Sequence, residues 1–392
     1  MKKLPLHDKH AALGAHFTEF NGWEIPSRYA DPVGEYQAVL QAAGLFDLSH
    51  RGKILLSGRD RVKFLQGLVT QDIPKLKKGE GTYAAITTLK GHMVSDVRVL
   101  VLSEAFLLEV EPGHEKPVLD HFNRYAVVSN VAIKEVTEDW GLLSIQGPAS
   151  RTILDEWLGV PLNLKKEFDH TERDIPGVIG TAGEAGRLRI VRAPRTRPQH
   201  GPQTAPQTEP RTEPQTEMDG YDLWIPADRT IAVWDSLRAS GAAAGPRPTG
   251  METLEALRIE AGIPRFGADM NEETIPLEAG LSHRAISFEK GCYLGQEPIA
   301  RIHFRGHVNW HLAGLTLEGE DIPHSGDKLY KDDKEVGWLT SITFSPALQK
   351  PIALGYVHRG HQEPGESLQV ESSGKRTTAV VTAIPFTPVG SK

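Results

Sequence analysis

At 392 residues with a formal net charge of -7, the chain exceeds the size at which one hydrophobic core stops growing, so two or three domains are expected. Its single cysteine excludes a disulfide framework, a four-cysteine zinc site and a self-sufficient iron-sulfur cluster, and suits a reducing, cytoplasmic setting. Acidic and basic residues are interspersed, which leaves no basic footprint for nucleic acid. No stretch approaches the length of a membrane span, and His7-Asp8-Lys9-His10 breaks any apolar leader after Met1-Lys2-Lys3.

Along the chain, short strands alternate with single helices. Arg59 to Thr70 places Val62, Leu65, Leu68 and Val69 at helical spacing. Val97, Val99 and Val101 share one side of a period-two run that turns into a second strand, Phe106 to Val110. Gly141 to Gln146 reads as a strand ending at Gly147-Pro148, before a helix carrying Ile153, Leu154 and Trp157. From Pro194 to Glu217 proline recurs every fourth residue in units such as PQTE, with almost nothing apolar to bury. This stretch, 194–217, reads as a disordered insertion. Strand-like segments on both sides, Leu188 to Val191 and Tyr221 to Ile225, make it an expanded loop between adjacent strands.

Thr249 to Gly262 is the best-defined helix. Thr249 and Glu252 suggest a capping box, Met251, Leu254 and Leu257 form a stripe, and Gly262 before Pro264 stops it. Glu260 falls in its last turn, where exposed carbonyls disfavour an anion by about 0.3–1 kcal/mol. Either a functional partner or plain neutralisation by Arg258 or water answers that position. Beyond about His307 only strands and turns follow, which gives an α+β body and a small all-β C-terminal domain.

Two clusters bear chemistry. The lone Cys292 lies in Lys290-Gly291-Cys292-Tyr293-Leu294-Gly295-Gln296-Glu297, with cations at Lys290, Arg301 and Arg305 and small glycines beside it. That setting suits a stabilised thiolate, although a free cysteine equally serves as a small core hydrophobe. His303, His307 and His311 recur at a spacing of four, but Arg305-Gly306 interrupts the helix that metal ligation would need. GxSxG, Walker A, HExxH and GxGxxG are all absent, which removes the common hydrolase, phosphate-loop and dinucleotide readings.

The phrases Phe20-Asn21-Gly22-Trp23-Glu24-Ile25-Pro26, Gly44 to His50, Gln146-Gly147-Pro148, Gly220-Tyr221-Asp222 and Arg258-Ile259-Glu260-Ala261-Gly262, with the KGCYLGQE stretch, resemble the glycine-cleavage T-protein family of tetrahydrofolate-dependent aminomethyltransferases. Within it, the cysteine motif followed by Arg301 and Arg305-Gly306 resembles the folate-binding YgfZ branch. The resemblance implies two interleaved α+β domains around a central folate cleft over residues 1–305, and a C-terminal β-barrel domain over 306–392. It implies tetrahydrofolate or a derivative as ligand, with Glu260 facing the pterin, Tyr83 as an aromatic wall, Arg301 and Arg305 meeting the glutamyl tail, and Cys292 and Asp96 as the reactive groups.

Departures accompany the match. T-proteins carry adjacent aspartates after a glycine pair; here the stretch is Gly91-His92-Met93-Val94-Ser95-Asp96, with Ser95 aligned on the catalytic member. The phrase TGYTGE is replaced by the proline repeat, and Asn309-Trp310 stand where the YgfZ branch has basic residues. The expectation is therefore a folate-binding protein supporting iron-sulfur cluster assembly or maintenance, with iron-sulfur proteins as partners. One-carbon transfer from or to tetrahydrofolate is the first alternative, and a folate-free scaffold for a protein partner is the second.

Overall fold

The computed structural model describes residues 1–177, 187–196, 219–240, 245–319 and 322–386. Within them the fold is α+β: two mixed layers built on five- and six-stranded sheets, a three-stranded N-terminal sheet and a closed six-stranded barrel. Most of the expected disordered insertion, from 197 to 217, lies outside the described residues.

The five-stranded sheet is ordered Gly81–Thr87, Met93–Val101, Ala105–Val110, Gly52–Ser57, Ala132–Glu135. Its period-two alternation sends Val97, Val99, Phe106, Leu108 and Val110 to one face, under the helices Arg61–Gln66 and Glu115–Ala126. The opposite face carries Tyr83, Asp96, Arg98 and Glu109, brought side by side by the register Tyr83 with Arg98 and Arg98 with Glu109. In the Arg61–Gln66 helix Phe64 and Leu65 point inward whereas Val62 stays 37% exposed, and the helix ends before Leu68 and Val69.

The six-stranded sheet is ordered His170–Asp174, Arg187–Arg192, Gly220–Pro226, Trp140–Gln146, Gly44–Asp47, Arg247–Pro248. Its first strand in sequence, Gly44–Asp47, precedes the whole five-stranded sheet and the rest follow it, so the two layers interleave. One face buries Leu143, Ile145, Leu223 and Ile225 under Ser150–Leu158 and Thr230–Ala239. The strands flanking the proline repeat, Arg187–Arg192 and Gly220–Pro226, are antiparallel neighbours, as an expanded hairpin loop requires. The inner faces of both sheets meet in a common core that includes Phe46, Leu48, Leu142, Leu107 and Trp224.

The helix Met251–Glu260 lies along this junction. It starts without a capping box: Thr249 donates to the Arg247 carbonyl, and the Gly250 N–H is taken instead by the buried Glu35 carboxylate at 2.7 Å. A carboxylate from another helix thus does what the local sequence promised of Glu252. Gly262, at φ +68°, ends it as expected. The barrel runs Trp310–Leu317, Lys350–His358, Lys334–Ser345, Lys328–Lys331, Ser367–Ser372, Lys375–Thr382 and closes on the first strand. No helix among the described residues is long and apolar enough to cross a membrane.

Candidate functional site

A cavity opens where the two sheets, the Met251–Glu260 helix and the Ile263–Arg265 segment meet. Its floor is the charged face of the five-stranded sheet. Asp96, only 8% exposed, accepts a hydrogen bond from the Tyr83 hydroxyl at 2.8 Å through Oδ2, while its Oδ1 is buried without a partner. Burial, then the neighbouring Glu111 carboxylate, pushes the Asp96 carboxyl up from its usual range, against Tyr83, Arg51 and Arg98. Ser95 points the other way: it is fully buried, donates to a backbone carbonyl and lies on the face that carries Val97 and Val99. Strand alternation gives the cavity to Asp96 and the core face to Ser95.

Beneath Asp96 runs a buried ion network. Glu109 receives Arg51, Arg98 and Arg195, the last through both carboxylate oxygens at 2.9 Å. Arg51 also holds Glu111 at 2.6 Å, and Arg195 also holds Asp222 at 2.5 Å. Burial alone would raise Glu109; the three guanidinium groups override it and hold its carboxyl well below the usual range. Arg195 therefore bolts the six-stranded sheet, through Asp222, to the five-stranded sheet, through Glu109. This corrects the disordered reading of 194–217 at its edge: Arg195 belongs to the first repeat unit, yet is only 7% exposed and fixed.

The walls are mixed. Phe20, Leu48, Met251 and Leu254 are apolar, Arg265 lies 5.0 Å over the Phe20 ring and pairs with Glu255, and Arg284 lies 4.9 Å over Tyr83 and pairs with Glu167. Arg258 pairs with Asp269 at 2.6 Å and donates to Ser341 of the barrel. A flat heterocycle carrying N–H donors suits such a slot, with aromatic and aliphatic sides and an orphaned carboxylate oxygen at the floor.

His50, also lining the cavity, is buried, with Nδ1 unpartnered and its ring edge-on to Phe20 at 5.8 Å. Burial, then Arg51, lowers its pKa to about 3. The unfolded chain binds that proton from about pH 6.5 downward and the folded one does not, so stability falls with pH across that window. Between about pH 7.5 and about pH 5, urea unfolding of the parent is expected to lose about 2 kcal/mol more than that of His50→Asn. Equal losses in the two proteins would remove His50 from the acid response.

Of the residues given a catalytic or folate-binding role from the sequence, Tyr83 and Asp96 line this cavity and Cys292, Glu260, Arg301 and Arg305 do not. Glu260 is turned to the barrel side, where its carboxylate accepts Tyr36 Oη at 2.7 Å and Ser345 Oγ at 2.5 Å; Glu111 and Glu255 are the glutamates that line the cleft. Arg301 and Arg305 sit on the exposed side of the Gln296–Arg305 helix, Arg301 paired with Glu297 at 3.2 Å. His303 is on the same helix, stacked on Phe288 at 3.8 Å, while His307 and His311 fall on the following link and the first barrel strand.

The KGCYLGQE motif acts as a clasp in this fold. Lys290 directs its ammonium to the carbonyls of Gln66, Val69 and Gln71 at 2.6–2.8 Å, and lies over the Tyr293 ring; burial lowers its pKa to about 8. The Leu294 carbonyl accepts Thr87 Oγ1 at 2.6 Å, and Gln296 donates to the Lys290 carbonyl. Gly295 has φ +86°, and a Cβ there would stand 2.5 Å from the Thr88 oxygen, so glycine is required. Cys292 is exposed, next to Gly291, whose surroundings are open, and Lys290 is committed to carbonyls. The residues missed from sequence are Arg51, Arg98, Glu109, Glu111, Arg195 and Asp222; a lone carboxylate within an otherwise apolar strand, as at Glu109, was the available signal.

Interleaved sheets around a charged cleft, backed by a barrel, place the chain in a known class. Residues 6–174 and 216–290 match the GCVT N-terminal domain and residues 311–387 the glycine cleavage T-protein C-terminal barrel domain, and the chain belongs to this family. Among its relatives is an aminomethyltransferase of Desulforamulus reducens, 32% identical over 389 residues and covering 98% of both chains. Another aminomethyltransferase, of Rubrobacter xylanophilus, is 33% identical over 357 residues, or 91% of this chain and 87% of its own. The crystal structure of the glycine cleavage system aminomethyltransferase T from Bartonella henselae superposes with a TM-score of 0.82 over 98% of each chain at 24% identity, which establishes the shared fold.

Proposed function

We propose that the chain is a tetrahydrofolate-dependent one-carbon transferase of the aminomethyltransferase type. The observation that carries this reading is Asp96: a carboxylate in the cleft, with one oxygen fixed by Tyr83 and the other buried and unclaimed. The objection raised by Ser95 falls away, because that position faces the core. When bound, the folate supplies the nucleophilic nitrogen that accepts the one-carbon unit. Asp96 accepts an N–H hydrogen bond at Oδ1 and holds or takes up a proton there, Tyr83 fixes its orientation, and the apolar wall of Leu254 and Met251 excludes water. Arg265 and Arg284 present positive charge to the anionic tail of a folate.

The YgfZ-type reading, support of iron-sulfur cluster assembly or maintenance, has the exposure of Cys292 in its favour. The Lys290 ammonium of the same motif is committed to three backbone carbonyls, and transfer is preferred because Asp96 stands in the cleft. Calorimetric titration with tetrahydrofolate tests the folate site that both readings share, and turnover of an aminomethyl donor separates them. The parent should bind saturably, Asp96→Asn should bind about tenfold more weakly, and Glu260→Gln should match the parent. No binding by the parent would leave only a folate-free role, and loss confined to Glu260→Gln would move the ligand out of this cavity.

A further inference from the structure

A second cavity, of about 300 Å³, shares a wall with the cleft. The segment after the Gly44–Asp47 strand separates them: Leu48, His50 and Arg51 line the cleft, whereas Ser49 lines the second cavity. Its other sides are the Lys2–Lys3 strand, Trp23 of the neighbouring strand, the turn Thr137–Asp139 and Trp140. Lys53, fully buried, fixes this frame: its ammonium donates to the Ser49 and Arg51 carbonyls at 2.8 Å, and its backbone N–H donates to Thr137 Oγ1 at 3.1 Å. A cavity of that size admits a molecule of one or two rings.

The polar groups left over in this lining are donors. Ser49 is used up, donating to Asp47 at 2.5 Å and accepting the Leu142 N–H at 3.1 Å. Glu138, the carboxylate of the lining, pairs with Lys2 at 2.6 Å, and that ammonium also lies 5.3 Å over the Trp23 ring. Among the described residues Lys3 Nζ meets no carboxylate, the buried Thr137 hydroxyl donates to no acceptor, and the indole N–H groups of Trp23 and Trp140 find none. A free ammonium and neutral donors without acceptors call for an anion rich in lone pairs, and two indoles call for a flat apolar body beside them.

We propose that this second cavity is a binding site for a small aromatic carboxylate, its ring against Trp23 and Trp140 and its carboxylate received by Lys3 and Thr137. The site is separate from the cleft, and its occupancy does not depend on what the cleft binds.

The test is calorimetry on the full chain with benzoate and indoleacetate. Benzamide keeps the shape of benzoate without its charge, and cyclohexanecarboxylate keeps the charge without the aromatic ring. At least one aromatic carboxylate should bind saturably, benzamide about tenfold more weakly and cyclohexanecarboxylate about threefold more weakly. Lys3→Met and Trp140→Leu should each weaken binding about three- to tenfold, and the two together about ten- to hundredfold. Lys3 is exposed on a two-residue strand, so Lys3→Met carries the test if Trp140→Leu fails to fold. Repeating the titration with tetrahydrofolate present separates the two cavities: the aromatic carboxylate should still bind, and its competitive displacement would put it in the cleft and overturn the inference. Neither aromatic carboxylate binding saturably up to about 10 mM overturns it too. So does benzamide binding as tightly as benzoate, or a folded Lys3→Met, Trp140→Leu double variant that binds as the parent does.

Discussion

Asp96→Asn is expected to lower the rate of one-carbon transfer to tetrahydrofolate by about 10²–10⁴-fold, the usual worth of a positioned proton-transfer group. The amide keeps the shape and can still receive the Tyr83 hydroxyl, so the fold should survive; what disappears is an oxygen able to take or hold a proton. Burial and Glu111 raise the parent carboxyl. If its ionised form is the active one, the rate should therefore fall as pH drops through that raised value, and Asp96→Asn should flatten this limb. Formation of methylenetetrahydrofolate from an aminomethyl donor gives the rate. Ser95→Ala, on the core face, is the control and should retain parental turnover. An Asp96→Asn rate within about threefold of the parent would take proton handling away from Asp96.

The second large effect is on stability. Glu109→Ala removes the acceptor that three guanidinium groups share and leaves Arg98 with no carboxylate partner. Breaking a buried pair in this way costs about 3–5 kcal/mol, and denaturant unfolding followed by circular dichroism should show a loss of that size. Adding Arg98→Ala to Glu109→Ala should cost less than the sum of the two single changes, because the second removes a charge the first left unpaired. A Glu109→Ala loss below about 1 kcal/mol would mean that water and Glu111 absorb the exposed charges.

The architecture was readable from sequence where periodicity is strong. The alternation through Val97, Val99 and Val101 gave both the strand and, by implication, the opposite face on which Asp96 stands. The flanking strands of the proline repeat pair as antiparallel neighbours, as their strand-like sequences on either side of it led one to expect. The site was harder. Glu109 sat within a run read only for its apolar residues, and its three partners come from distant segments that no local pattern connects. Arg195 was hidden by composition, since a repeat unit that cannot bury itself still held one side chain able to reach a carboxylate across the sheets. The lone cysteine drew attention by rarity, whereas the physical work of its motif is done by Lys290 and Gly295, through backbone carbonyls that sequence does not display. Glu260 was expected in the cleft, but a helix turns about 100° per residue, and its neighbour Arg258 takes that side.

The Met251–Glu260 helix shows a division that neither half of the molecule reveals alone. Leu254, Glu255 and Arg258 border the cleft, while Arg258 is fastened to Ser341, Glu260 to Ser345, and Asp269, the partner of Arg258, to Thr340. Every one of those anchors is a hydroxyl on a single barrel strand, Lys334–Ser345. The barrel thus works as a jig for the cleft: among the described residues it contributes no lining residue, yet it sets the depth and angle of the wall against which a ligand would lie, so relatives could retune the cleft through barrel substitutions alone.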